Sequence, residues 1–273
     1  MAKPKKKLGQ HWMTSQRDLV SIADALSIEE GETVLEIGPG MGALTKVLFE
    51  KGARVVAVEK DTDCAEYLRH LFIEKQKSAD LQVISENILK LDLKAGLNFK
   101  EPIKVAGNIP YYITSPILEW LISQRASVSE AVLTVQWEVA QRLAAKPGKK
   151  DWGSLSVFLQ FYADVQLLRK IDKSHFHPAP KVDSGVILIR FLRSGRFPRV
   201  DESIFFLLVR RAFQKRRKTL LNALADKKGG FLAKENLQNA FQRLAIDAGR
   251  RPETLSIREW ADLSESLGSP SQK

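Results

Sequence analysis

The chain has 273 residues, 44% hydrophobic and 27% charged, with a formal net charge of +11. These proportions exclude a disordered polymer and suit one sizeable core with a smaller appendage, while the positive excess favours a polyanionic partner, nucleic acid first. One cysteine, Cys64, excludes an internal disulfide, and no run reaches the ~18 apolar residues of a membrane helix, so a cytoplasmic protein without membrane contact is expected.

After a basic start at residues 1–7, Leu19, Ile22, Ala23 and Leu26 recur at helical spacing within 15–26. Strand patterns at 33–37, 54–58, 81–84, 103–106 and 131–136 then alternate with helical patterns at 42–51, 62–75, 115–123 and 137–145. This alternation predicts a doubly wound α/β sheet of mainly parallel strands, with ligands at the carboxyl ends of the strands. Residues 146–150 form a basic turn, and 163–171 and 185–192 read as two successive strands. A closing antiparallel hairpin of that kind is typical of a class I methyltransferase and absent from most dehydrogenases.

Residues 193–199 read as a linker, and strand patterns cease beyond them. The expected division is therefore near residue 195, with a Rossmann-like domain over 1–195 and a small all-α domain over 196–273. The second part holds 16 Lys and Arg against 9 Asp and Glu, so +7 of the +11. Its densest stretch contains Arg210, Arg211, Lys215, Arg216, Arg217 and Lys218, beside a helix with Phe205, Phe206, Leu208 and Val209 on its other face. A solvated helix face is the plain reading. A groove for RNA phosphates is the favoured one, because cations this dense repel one another unless a polyanion is present.

The motifs narrow the chemistry. Glu36-Ile37-Gly38-Pro39-Gly40-Met41-Gly42 joins a strand to a helix, and its Gly-x-Gly-x-Gly spacing departs from the dinucleotide fingerprint, favouring S-adenosylmethionine. Gly38 and Gly40 would let the backbone approach the methionine part, and Glu36 would order the loop or meet the methionine amine. Glu59, after the second strand, is placed to accept both ribose hydroxyls. Asn87 either serves the cofactor adenine or caps a turn. Asn108-Ile109-Pro110-Tyr111 combines an amide, a proline carbonyl and an aromatic ring. Asn108 and the Pro110 carbonyl can accept both N–H bonds of an exocyclic amine while Tyr111 covers the base. His175 and His177 have no Cys or acidic partner at ligand spacing, so no metal is expected.

These motifs, with Leu8-Gly9-Gln10-His11-Trp12-Met13 and the run from Phe176 to Ser184, resemble the ribosomal RNA adenine dimethyltransferases, in particular the small-subunit group linked to kasugamycin sensitivity. The resemblance covers nearly the whole chain. It implies that the segment around His11 and Met13 closes over the cofactor and that Gly38, Glu59, Asn87 and Asn108 line its site. It also implies that Tyr111 and Phe176 sandwich the target adenine, and that the substrate is two adjacent adenosines near the 3′ end of small-subunit rRNA in an immature 30S subunit. His11 stands where asparagine is frequent, Ile109 where leucine is, and Asn87 where an aspartate is. A monomer is expected. The large-subunit dimethyltransferases of macrolide resistance and a non-catalytic RNA-binding assembly factor are the alternatives.

Overall fold

The computed structural model describes residues 4–97, 99, 101–193, 195–226 and 232–268. In chain order its strands are β1 (Trp12–Met13), β2 (Thr33–Ile37), β3 (Arg54–Glu59), β4 (Leu81–Ser85), β5 (Ile103–Asn108), β6 (Val128–Gln136), β7 (Ala163–Ile171), β8 (Phe176–His177) and β9 (Ser184–Phe191). The helices begin with α1 (Gln16–Asp24), α2 (Ala43–Glu50), α3 (Thr62–Leu71), α4 (Ile73–Lys77), α5 (Leu93–Gly96) and α6 (Thr114–Ser123). They continue with α7 (Trp137–Leu143), α8 (Ser154–Tyr162), α9 (Glu202–Gln214), α10 (Leu220–Leu224), α11 (Lys234–Arg243) and α12 (Ile257–Gly268).

Among the described residues a seven-stranded sheet runs β4-β3-β2-β5-β6-β9-β7, and β1 and β8 form a separate pair. The pairs β4–β3, β3–β2, β2–β5 and β5–β6 are parallel, whereas β9 is antiparallel to both β6 and β7. This is the class I methyltransferase arrangement that the sequence predicts. The central strands are runs of Val, Ile, Leu and Ala because a parallel sheet is covered by helices on both faces; Val34, Leu35, Val105, Val132 and Leu133 are fully buried.

Two local readings need correction. The helix expected over 62–75 breaks at Phe72, whose backbone (φ −113, ψ 37) leaves the helical region. The turn brings its ring edge-on to Phe49, with centroids 5.3 Å apart. Helix α8 was not foreseen, because six of its nine residues are apolar and Ser154, Ser156 and Gln160 do not make the broad polar face that marks a surface helix.

That helix also bears on the division expected at residue 195. Residues up to Gln141 group with Ala163–Arg193 in one compact unit, and Arg142–Tyr162 groups with the chain beyond Arg193 in the other. Within the second unit, α8 packs on α9 and α12. The Phe161 and Phe205 rings lie 4.4 Å apart, and the buried Trp152 donates its indole N–H to the Leu255 carbonyl at 3.0 Å. An apolar helix with no sheet face to cover has to bury itself against other helices. No helix among the described residues is long and apolar enough to cross a membrane.

Candidate active site

In the sheet-bearing unit, β2 is flanked by β3 and β5, so the chain leaves its carboxyl end at a topological switch point. Register sets the neighbours there. Ile37 pairs with Val58 on one side and Gly107 on the other, which makes Gly38, Glu59 and Asn108 the next residues in three adjacent rows. These residues, with Asn87 and Tyr111, line one cavity.

The glycine loop has the conformations its composition suggests. Gly38 has φ +67 and open space where a Cβ would project, so a ligand can approach its backbone. Gly40 (φ +55) is different: a Cβ there would sit 2.8 Å from the Trp12 indole nitrogen. Trp12 therefore covers the loop from the N-terminal segment. Its indole N–H is buried and finds no acceptor among the described residues.

Two carboxylates hold the loop from beneath. Glu36 is buried and accepts the Thr45 hydroxyl at 2.6 Å, so it ties β2 to α2. Burial pushes its carboxyl up to about 8, against the Thr45 hydrogen bond and with help from the Glu59 charge. Glu59 accepts the Gly40 N–H at 3.0 Å and the Asp61 N–H at 2.8 Å, one through each oxygen. Burial raises its pKa as well, although both backbone bonds favour the charged form. Each oxygen keeps a lone pair for another donor. The Asn87 amide oxygen accepts the Leu89 N–H at 3.2 Å, which caps the short turn Ile88–Lys90 while the residue also lines the cavity. Its two N–H donors remain for a ligand.

The N-terminal segment closes the near side. Lys5 forms ion pairs with Asp61 at 2.6 Å and Asp63 at 2.8 Å, and Gln10 donates to the other Asp61 oxygen at 3.1 Å. Burial would raise the Asp61 pKa, but the Lys5 and Gln10 hydrogen bonds outweigh it and the carboxyl lies below its usual range. Gln10 belongs to the Leu8–Met13 motif but the sequence assigned it no role, and Asp61 was signalled only by its nearness to Glu59. Cys64 is buried on α3, and burial pushes its thiol up to about 12.

Asn108 donates its Nδ2 to the His11 carbonyl at 2.8 Å. A carbonyl can only accept, so this bond fixes which end of the amide is which and leaves Oδ1 as the outward acceptor. The next turn is equally constrained. The Pro110 carbonyl accepts the Ile113 N–H at 3.1 Å and retains one lone pair, and the Tyr111 hydroxyl lies 2.6 Å from Ser184 Oγ. Burial raises the Tyr111 pKa, so the phenol stays neutral.

Tyr111 lines the cavity, whereas Phe176 is not among the described residues that line it. Phe176 is 4% exposed and sits in the core cluster with Met13, its partner across the β1–β8 pair. The ring facing Tyr111 is His11, with centroids 6.1 Å apart and planes 22° from parallel. His11 is held there by Nδ1, 2.6 Å from the Pro178 carbonyl. Met13 is buried, with part of its surface on the cavity wall.

The basic run lies in the other unit and divides by environment. Arg211 pairs with Asp226 at 3.3 Å, Arg216 donates to the Lys150 carbonyl at 2.6 Å and lies 3.7 Å from Glu253, and Arg210 donates to the Phe206 carbonyl of its own helix. Lys215, Arg217 and Lys218 follow α9, are exposed, and have no carboxylate partner among the described residues. No group of His, Cys, Asp and Glu among the described residues is arranged to hold a metal ion.

Comparison with known proteins agrees with this geometry. Residues 1–268 match the family model described as ribosomal RNA adenine dimethylase. The chain is 41% identical over 261 residues to ribosomal RNA small subunit methyltransferase A of Myxococcus xanthus, covering 95% of this chain and 89% of the relative. Against the protein of the same name from Clostridium botulinum it is 38% identical over 262 residues, covering 96% and 93%. Among solved structures, a dimethyladenosine transferase from Plasmodium falciparum superimposes with a TM-score of 0.78 at 24% identity, covering 94% of this chain and 98% of that one. A match over nearly the full length, with the glycine loop and Asn108–Tyr111 at adjacent strand ends, means that the chain belongs to the ribosomal RNA adenine dimethylase family.

Proposed function

We propose that this protein transfers methyl groups from S-adenosylmethionine to the N6 amine of adenosine in small-subunit rRNA, twice on the same nitrogen, during subunit assembly in the cytoplasm. Naming of the full-length relatives supports the substrate class. The observation that carries the chemistry is the oriented Asn108 amide, whose Oδ1 is left free to accept from an amine.

The cavity suits the cofactor. Gly38 gives backbone access, Glu59 keeps lone pairs for ribose hydroxyls, Asn87 keeps N–H donors for ring nitrogens, and the unmatched Trp12 donor stands beside the loop. When bound, S-adenosylmethionine supplies an electrophilic methyl group. The protein has to make the adenine amine nucleophilic and hold it in line. In the first transfer Oδ1 of Asn108 and the second lone pair of the Pro110 carbonyl accept the two N–H bonds, which favours a tetrahedral nitrogen with its lone pair free; in the second transfer one of the two acceptors takes the single remaining N–H. Tyr111, locked through Ser184, presents its ring face to the base and stabilises positive charge developing on nitrogen. Once methylated, the nitrogen loses its surplus proton to solvent.

Lys215, Arg217 and Lys218 supply phosphate contacts, and Arg210, Arg211 and Arg216 shape the surface that carries them. The reading is tested with labelled S-adenosylmethionine on unmethylated small subunits and, separately, on large-subunit rRNA, with nucleosides identified by mass spectrometry. N6,N6-dimethyladenosine on the small subunit alone is expected. Label on large-subunit rRNA instead would reassign the substrate, and tight RNA binding without transfer would mark an assembly factor.

A further inference from the structure

Tyr112 takes no part in the reading above. It lines the same cavity as Asn108 and Tyr111, yet it is 59% exposed, so a large aromatic ring stands in water on the rim of the site. Its hydroxyl makes no hydrogen bond among the described residues. The ring is left unburied with no polar interaction in exchange, and an aromatic surface open beside a ligand cavity is suited to a flat partner.

The ring is also held in position. Gly9 (φ +60) lies against it so closely that a Cβ there would come within 3.1 Å of both Cδ1 and Cε1. One side of Tyr112 is therefore backed by the main chain of the N-terminal segment. Tyr111 and Tyr112 share the turn Tyr111–Ile113, closed by the Ile113 N–H to the Pro110 carbonyl at 3.1 Å and by the Thr114 hydroxyl to the Tyr111 carbonyl at 3.0 Å. Successive side chains on such a turn diverge by about 120°. That divergence leaves Tyr111 anchored to Ser184 and Tyr112 on the rim.

We propose that Tyr112 is a stacking platform for the nucleobase next to the acceptor adenosine, and so a positioning residue for single-stranded RNA entering the site. The inference rests on the RNA-adenine reading above. Extruding one base from a stack leaves its neighbour without a stacking partner, and an aromatic ring at the mouth replaces that partner whatever the neighbour's identity. Phosphate contacts supply most of the binding to a large RNA. Loss of one stack therefore shows mainly in how productively the acceptor is presented.

The test compares Tyr112→Ala, Tyr112→Phe and Tyr112→Trp with the unaltered protein on unmethylated small subunits, with S-adenosylmethionine affinity and melting temperature measured in parallel. Tyr112→Ala is expected to lower kcat/KM roughly ten- to a hundredfold, in keeping with base–aromatic stacking, at unchanged cofactor affinity and melting temperature. Phe and Trp should restore it to within about threefold, since the ring rather than the hydroxyl is used. On subunits reconstituted with an abasic nucleotide beside the acceptor adenosine, the Ala variant and the unaltered protein should become equal. Undiminished kcat/KM in Tyr112→Ala overturns the proposal, as does failure of Phe to rescue or a deficit that persists in full on the abasic substrate. A fall in cofactor affinity matching the fall in rate would make Tyr112 a structural residue and overturn it too. If the unaltered protein transfers nothing to small subunits, the function itself is wrong and this inference falls with it.

Discussion

The sheet-bearing unit and the helical unit put their functional residues in place in different ways. In the first, Gly38, Glu59 and Asn108 follow directly from paired positions in a parallel sheet, and the two side chains are then held by backbone groups: Gly40 N–H for Glu59, the His11 carbonyl for Asn108. In the second, six cations close in sequence have unlike surroundings. Arg211 and Arg216 are engaged by Asp226, Glu253 and the Lys150 carbonyl, all outside the run itself, whereas Lys215, Arg217 and Lys218 stand free of carboxylates among the described residues. Motif residues at strand ends are thus individually readable, while residues in a charge run are readable only as a group. Ladder geometry dictates the first, and long-range pairing decides the second.

The comparison is put at risk most directly at Asn108. Asn108→Ala removes the oriented acceptor and should lower kcat by about 10²–10³-fold, the usual cost of one charge-stabilising group in a preorganised site, with S-adenosylmethionine affinity nearly unchanged by calorimetry. Near-normal turnover would show that strand-end register does not mark the chemistry. Glu59→Ala should act on the other half of the cavity, weakening cofactor binding roughly 10- to 100-fold because hydrogen bonds to a charged acceptor disappear. Full affinity in that variant would remove Glu59 from the cofactor site.

In the helical unit the contrast is between neighbours. Lys218→Glu and Arg217→Glu should weaken RNA binding and reduce the slope of log affinity against log salt by roughly 0.7–0.9 for each phosphate neutralised by the original cation. Arg211→Ala should leave that slope alone and lower stability by about 1 kcal/mol or less, since its ion pair with Asp226 is only partly buried. Equal salt slopes for all three would mean that the internal pairings are irrelevant to RNA.

The remaining effect is on pH dependence. The Glu36 carboxyl is raised from its ordinary 4.5 to about 8 in the folded protein. Folded chains then hold a proton that unfolded chains release, so this stabilisation is complete below 4.5 and is lost as pH rises through about 8. Glu36→Gln keeps an acceptor for Thr45 and abolishes the titration. Melting temperature should therefore decline less steeply in the variant than in the unaltered protein between about pH 5 and about pH 8.5; parallel curves would place the pH dependence elsewhere, with Glu59 the next carboxyl to vary.

Much of the fold could be read from periodicity. Alternating apolar runs located the strands of the large sheet to within a few residues, and two successive strand patterns announced the antiparallel end. The glycine spacing and Asn108–Tyr111 likewise marked the cavity. Helix α8 escaped because its short, mainly apolar stretch has only a weak amphipathic signature, and β1 and β8 because two-residue strands carry no period.

By itself, then, the sequence determined the layered α/β architecture, the residues at the strand ends and the excess of positive charge, because local periodicity and turn chemistry depend on nearby residues alone. Only the tertiary structure decided that Phe176 turns into the core beside Met13 while His11 faces Tyr111, and that the His11 carbonyl sets the direction of the Asn108 amide. It also decided which cations of the basic run are already paired. Those outcomes rest on pairings between residues far apart in the chain, 167 positions for His11 and Pro178, and the folded chain alone brings such residues within hydrogen-bonding distance.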